Sequence, residues 1–292
     1  MTSQSSSFTD LSSACADAVA AISPHIVEVQ SHRSLASGFF WREGLIVTPD
    51  ETLAEEGKIE VELADGTVLE ATLVGRDPAT DIALLRVEGA KAEAVAFGPG
   101  VVRPGSLALI VAAAESAPLI AFGAIAAVGP AWQSMRGGTI DARIEMDVRL
   151  RRRAEGGLAV DGSGQAFGMA VRGPRGRTLI IPASTIDRVA GQLANHGRVP
   201  IAYFGAGLKD VPLDDGGSGA MVMTLDRDGP AAAGGLQQGD IVLSWAGKRM
   251  PHVGALLYAL RATPVGSTLT LALRRGGSPL ELSITIGDRP AK

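Results

Sequence analysis

Val74-Gly75-Arg76-Asp77-Pro78-Ala79-Thr80-Asp81-Ile82-Ala83-Leu84-Leu85-Arg86-Val87 contains a turn and the strand that follows it. Arg76-Asp77-Pro78 is turn chemistry, because Asp bonds its own backbone and Pro presets φ. Asp81 to Val87 is a short apolar block bounded by that turn, as a buried strand requires. Upstream, Lys58 to Leu63 alternates, and Ala64-Asp65-Gly66-Thr67 reads as a hairpin turn into Val68 to Val74. Ile26 to Val29 and Gly44 to Thr48 are earlier strands. Leu107 to Ala112, Leu119 to Val128, Ile140 to Met146, Gly157 to Val160, Gln165 to Val171 and Thr178 to Ile181 are later ones. Short strands at this spacing predict a sandwich or barrel. Pro182-Ala183-Ser184 then caps a helix over Thr185 to Asn195, with Ile186, Val189 and Leu193 on one face and Gly197 as its stop.

A second unit begins near Arg198. Its strands are Ala202 to Leu208, Ala220 to Leu225, Ile241 to Trp245, Thr268 to Arg274 and Glu281 to Ile286. Its helices are Pro230 to Gly234 and His252 to Ala262, and Asp214 to Gly219 reads as a flexible loop inside the unit.

The 292 residues, 46% apolar and 20% charged, can bury a sizeable core, which excludes a wholly disordered chain. With 37 Gly, 16 Pro and 4% aromatic residues, turns and short strands are favoured over a helical bundle. A net charge of -4 argues against a nucleic-acid binder, and the single cysteine, Cys15, excludes an internal disulfide or cysteine cluster. No cofactor is expected.

Met1 to Ala21 has no basic residue, and Asp10 and Asp17 interrupt its apolar part, so it does not read as a secretory leader. It reads as a polar tail and a short helix with Leu11, Cys15, Ala18 and Val19 on one stripe. The expected location is cytoplasmic, or periplasmic if the N-terminus has been trimmed. From Pro104 to Met135 the only charge is Glu115, but Pro118, Gly123, Gly129 and Pro130 cut the stretch into strand-sized pieces, so no membrane span is expected.

The order of these signals resembles the HtrA (DegP-like) family. Its members are chymotrypsin-like double β-barrel serine proteases followed by a peptide-binding PDZ domain. Ala64 to Thr67, Val74 to Pro78 and Asp81 to Leu85 resemble the first barrel, and Gly123-Ala124-Ile125-Ala126 resembles a strand of the second. Gly156-Gly157, Gly164 and Gly168 resemble the segment after the nucleophile, and Ile180 to Ser184 the approach to the closing helix. Tyr203-Phe204-Gly205-Ala206, Asp228 to Leu236 and Gly239-Asp240-Ile241-Val242 resemble the PDZ loop, helix and strand. The resemblance implies a mostly β fold: residues 1–22 as tail and short helix, 23–197 as the double barrel and 198–288 as an α+β PDZ domain.

It also places the catalytic positions. Serine protease chemistry needs a hydroxyl to attack, an imidazole to take its proton and a carboxylate to fix the imidazole. The family's histidine segment matches Thr48-Pro49-Asp50-Glu51, so Glu51 stands for histidine. The nucleophile segment matches Arg153-Ala154-Glu155-Gly156-Gly157-Leu158-Ala159, so Glu155 stands for serine. Asp81 keeps the carboxylate. Glu155 has no hydroxyl, and a glutamate near its usual pKa of about 4.3 is a poor base for an alcohol. Three crowded carboxyl groups would need protons, a cation or arginine, and Arg149, Arg151, Arg152 and Arg153 are the expected pairing partners. Ser163 falls in a hairpin turn of the matched frame, and His25, His32, His196 and His252 read as surface or turn residues.

The resemblance therefore implies an inactive protease that binds peptides or protein C-termini. Terminal carboxylate capture would fall to Tyr203, Phe204, Gly205 and Ala206, with Leu256, Leu257 and Leu260 as candidate apolar contacts, some of which must be core. Expected partners are such peptides, further copies (a trimer in the family) and active relatives. The alternatives are a serine endopeptidase with a non-standard triad, or carboxylate or metal chemistry at Glu51, Asp81 and Glu155.

Overall fold

The computed structural model describes residues 3–90, 92–99, 102–213 and 216–290. The chain divides into two compact units, Met1–Val199 and Pro200–Lys292. The first opens with α1 (Ser3–Ile22), a longer helix than the short one expected. Its first barrel comprises β1 (Ile26–Ser31), β2 (Ser34–Arg42), β3 (Leu45–Thr48), β4 (Ile59–Glu62), β5 (Val68–Asp77) and β6 (Ile82–Val87). These close in the order β1-β2-β3-β6-β5-β4, with β4 returning to β1. The second barrel comprises β7 (Leu107–Ala114), β8 (Ala117–Gly129), β9 (Arg143–Asp147), β10 (Leu158–Asp161), β11 (Ala166–Arg172) and β12 (Thr178–Pro182). It closes in the order β9-β12-β11-β10-β7-β8. This is the mostly β double barrel that was expected.

Alternation is visible in β4, whose Ile59 and Val61 point inward. It is absent from β2, where six consecutive residues from Ala36 to Trp41 are buried. That strand is not recognisable by period, because both of its faces are covered. Gly38 within it is required by space: a Cβ there would lie 2.9 Å from the Val47 carbonyl oxygen. Phe39, Val47 and Leu84 join Val111, Leu158, Met169 and Ile181 in one buried cluster, so the barrels share a core. Ile186, Val189 and Leu193 of α2 (Ala183–His196) seal it, and Gly197 ends the helix in a left-handed conformation.

The second unit is a sheet of order β13 (Ala206–Pro212), β14 (Ser218–Leu225), β15 (Ile241–Trp245), β16 (Thr268–Arg275) and β17 (Ser278–Thr285). A short helix, α3 (Pro230–Ala233), and α4 (Val253–Arg261) accompany it. The first two residues of the loop expected at Asp214 to Gly219 lie outside the described residues. Strand β13 is an edge strand, paired only with β14 among the described residues.

Candidate functional site

Asp81 sits at the entrance to β6 after a tight turn. Asp77 builds that turn by accepting from Thr80 Oγ1 at 2.6 Å and from the Ala79 amide at 3.2 Å. Asp81 itself has φ +58°, a conformation that Asp and Asn tolerate better than most residues. Its Oδ1 accepts the Glu51 amide at 2.8 Å. Glu51 lies in a 3₁₀ turn, Asp50–Thr52, whose Asp50 is buried and paired with Arg76. The Glu51 side chain points outward, more than half exposed, toward Arg136 at 3.3 Å.

Glu155 reaches the same place from the second barrel. Ser37, fully buried on β2, is the joint between the two. Its amide donates to the Glu155 carbonyl at 2.7 Å, and its Oγ donates to the Arg153 carbonyl at 2.8 Å and accepts from the Ala113 amide at 3.0 Å. Gly156 follows at φ +88°. Arg152–Ala154 is a 3₁₀ turn, and the Glu155 amide donates to the Arg152 carbonyl at 3.2 Å. The Glu155 carboxylate is mostly buried, and its Oε1 lies 2.6 Å from the Arg172 guanidinium.

The three carboxyl groups therefore sense one another. Burial, reinforced by the charges of Glu51, Asp50 and Glu155, pushes the Asp81 carboxyl up to about 7. Burial also raises Glu155, against the pull of Arg172 and Arg152. Arginine pairs with two of the three carboxylates, not from the expected run, and Asp81 has no arginine partner among the described residues. Arg172 on β11 and Arg136 pair with Glu155 and Glu51, whereas Arg153 turns to Glu115. Arg149, Arg151 and Arg152 of the local run are exposed, and Arg152 reaches Glu155 only through its field. Among the described residues, no three His, Cys, Asp or Glu side chains are grouped to hold a metal ion.

The other candidates lie elsewhere. Ser163 Oγ donates to Asp161 within its own hairpin at 2.6 Å. His25 Nδ1 contacts the Glu93 carbonyl at 2.9 Å, His32 occupies a left-handed turn, and His196 ends α2. His252 caps α4, accepting from the Ala255 amide at 3.0 Å.

In the second unit, Tyr203-Phe204-Gly205-Ala206 runs into the edge strand β13. Tyr203 donates to Asp226 at 2.5 Å, and Phe204 is buried edge-to-face against Trp245. Gly205, at φ +75°, accepts the Asp226 amide through its carbonyl at 2.9 Å. The three leucines divide: Leu256 and Leu260 are buried in the core, and Leu257 is 43% exposed. Burial removes the first two as free groove contacts.

Residues 36–169 match the trypsin-like peptidase domain family, and residues 202–286 match the PDZ domain family. The chain is thus a trypsin-like double barrel followed by a PDZ domain. That is the organisation of the HtrA/DegP family of serine endoproteases. The probable periplasmic serine endoprotease DegP-like of Pseudomonas fulva (strain 12-X) is 30% identical over 275 residues, spanning 89% of this chain and 57% of that protein. Its Brucella suis counterpart is 30% identical over 274 residues, 87% of this chain and 52% of that protein. The chain therefore spans a little over half the length of these curated relatives. The solved serine endoprotease from Yersinia pestis superposes with a TM-score of 0.71 at 25% identity, covering 94% of this chain and 97% of that one. The HtrA-type protease AlgW with tripeptide gives 0.70 at 26% identity, covering 95% and 98%. The expectation of a cytoplasmic location is corrected by these relatives, which are named as periplasmic proteins. No helix among the described residues is long and apolar enough to cross a membrane.

Proposed function

We propose that the chain is a proteolytically inactive HtrA-like protein whose barrels, residues 23–197, form a scaffold behind the tail and helix of residues 1–22. Its PDZ domain, residues 198–288, captures peptides or protein C-termini. It serves as an adaptor, chaperone or regulatory partner of active relatives, with a homotrimer as the expected assembly. The observation that carries the reading is that acids, Glu51 and Glu155, occupy the two positions beside Asp81 where peptide hydrolysis by serine needs an imidazole and a hydroxyl. The backbone supports it. The Glu155 amide, one of the groups that would polarise a scissile carbonyl, is committed to the Arg152 carbonyl.

The relatives' names favour a second reading, an HtrA-type serine endopeptidase with a non-standard triad. A fluorophosphonate probe separates the two. The first reading expects no stoichiometric labelling, and labelling of one serine per chain would establish the second.

Peptide capture is tested at Gly205. Free-carboxyl peptides selected from a C-terminal display library should bind the native chain and lose at least tenfold with Gly205→Val. The new Cβ would sit at φ +75°, 3.1 Å from Gly229 Cα, and distort the loop whose amides hold the carboxylate. Equal binding by the variant would remove this loop as the capture site.

A further inference from the structure

The stretch Arg149–Arg153 lies beside the carboxylate site without neutralising Glu155 by direct pairing. Leu150 and Ala154 anchor it in the second-barrel core. Backbone bonds from Ala154 to Arg151 and from Glu155 to Arg152, with the Ser37 hydroxyl on the Arg153 carbonyl, hold the turn between those anchors. As a consequence, Arg149, Arg151 and Arg152 are exposed to solvent. The neighbouring arginines are engaged: Arg153 with Glu115, Arg172 with Glu155, and both Arg143 and Arg177 with Glu145. Arg149 and Arg151 have no ion-pair partner among the described residues. Arg152 acts on Glu155 only through its field.

We propose that Arg149, Arg151 and Arg152 form a docking surface for a carboxylate-rich segment of a partner protein, a second binding site distinct from the PDZ domain. Guanidinium groups match carboxylates bidentately, and a turn already held by its backbone loses little further chain entropy on binding. Arg149 and Arg151 are two residues apart, and Arg151 has extended backbone angles. An extended peptide with acids at every second residue spaces its carboxylates at roughly 6.6 Å, a spacing such a pair can follow. A continuous phosphate backbone fits less well. No aromatic residue interleaves the run to stack bases.

The probe is a fluorescein-labelled, C-terminally amidated decapeptide of alternating Glu and Gly, followed by anisotropy on the full chain at 50 mM salt. The amide cap removes the free terminus that the PDZ reading requires, so failure of that reading is separable from failure of this one. Saturable binding should weaken at least tenfold in R149Q/R151Q/R152Q, and at least tenfold at 300 mM salt for the native chain. Binding should be unchanged in R33Q/R103Q, which removes exposed arginines elsewhere on the same unit. No binding by the native chain, equal binding by the triple variant, a flat salt response, or preference for a single-stranded oligonucleotide would each overturn the proposal. The salt series needs no variant, so the test stands even if the triple substitution perturbs folding.

Discussion

Replacing Gly156 with alanine should cost the barrel unit about 4 kcal/mol, at the exceptional end for a single substitution. Two independent penalties coincide there. At φ +88° any Cβ is strained, by about 1–2 kcal/mol. The added carbon would also lie 1.9 Å from the Ser37 carbonyl oxygen and 2.6 Å from Pro49 Cδ. Neither obstacle is the end of a flexible side chain. Ser37 is buried and bonded to Glu155, Arg153 and Ala113, and its carbonyl accepts Thr48 Oγ1 at 2.9 Å. Relief therefore requires the two barrels to separate locally or the Glu155 segment to refold. Urea unfolding of the native chain beside Gly156→Ala measures the loss. Gly162→Ala, where a Cβ meets nothing within 4 Å, is the control and should stay within about 0.5 kcal/mol. A loss below 1 kcal/mol at Gly156 would show that the crossing of Ser37 and Glu155 is not built as described.

Asp81→Asn should stabilise the protein at alkaline pH and leave it nearly unchanged near pH 4. The folded-state carboxyl titrates at about 7, against a reference of 3.8. The folded state thus holds a proton that the unfolded chain releases across that window. Stability falls as pH rises from about 4 to about 7, and the full penalty is present above it. The interval of roughly three units corresponds to at most about 4 kcal/mol, and residual solvation lowers the expected gain to about 2–3 kcal/mol at pH 8.5. Asparagine keeps an oxygen for the Glu51 amide and tolerates the left-handed backbone, so the comparison isolates the charge. Urea midpoints at pH 4 and pH 8.5 decide the matter. A gain equal at both values, or a loss at pH 8.5, would mean that the Asp81 charge is not penalised in the fold.

The residue types at 51, 81 and 155, the turn before Asp81 and the helix stop at Gly197 were legible in the chain alone, because each depends on its immediate neighbours. The same holds for alternating strands such as Ile59–Glu62, whose half-buried faces repeat every second residue. Strand Ser34–Arg42 was not legible: it is covered on both sides, and the space around Gly38 is defined by Val47 and Val29. Only tertiary structure decided which arginines meet the carboxylates, why Ser37 binds the barrels together, and which of Leu256, Leu257 and Leu260 is left outside the core. Barrel closure brings Arg172 to Glu155 and Ser37 to Arg153, and the elevated proton affinity of Asp81 arises from burial that no local window contains.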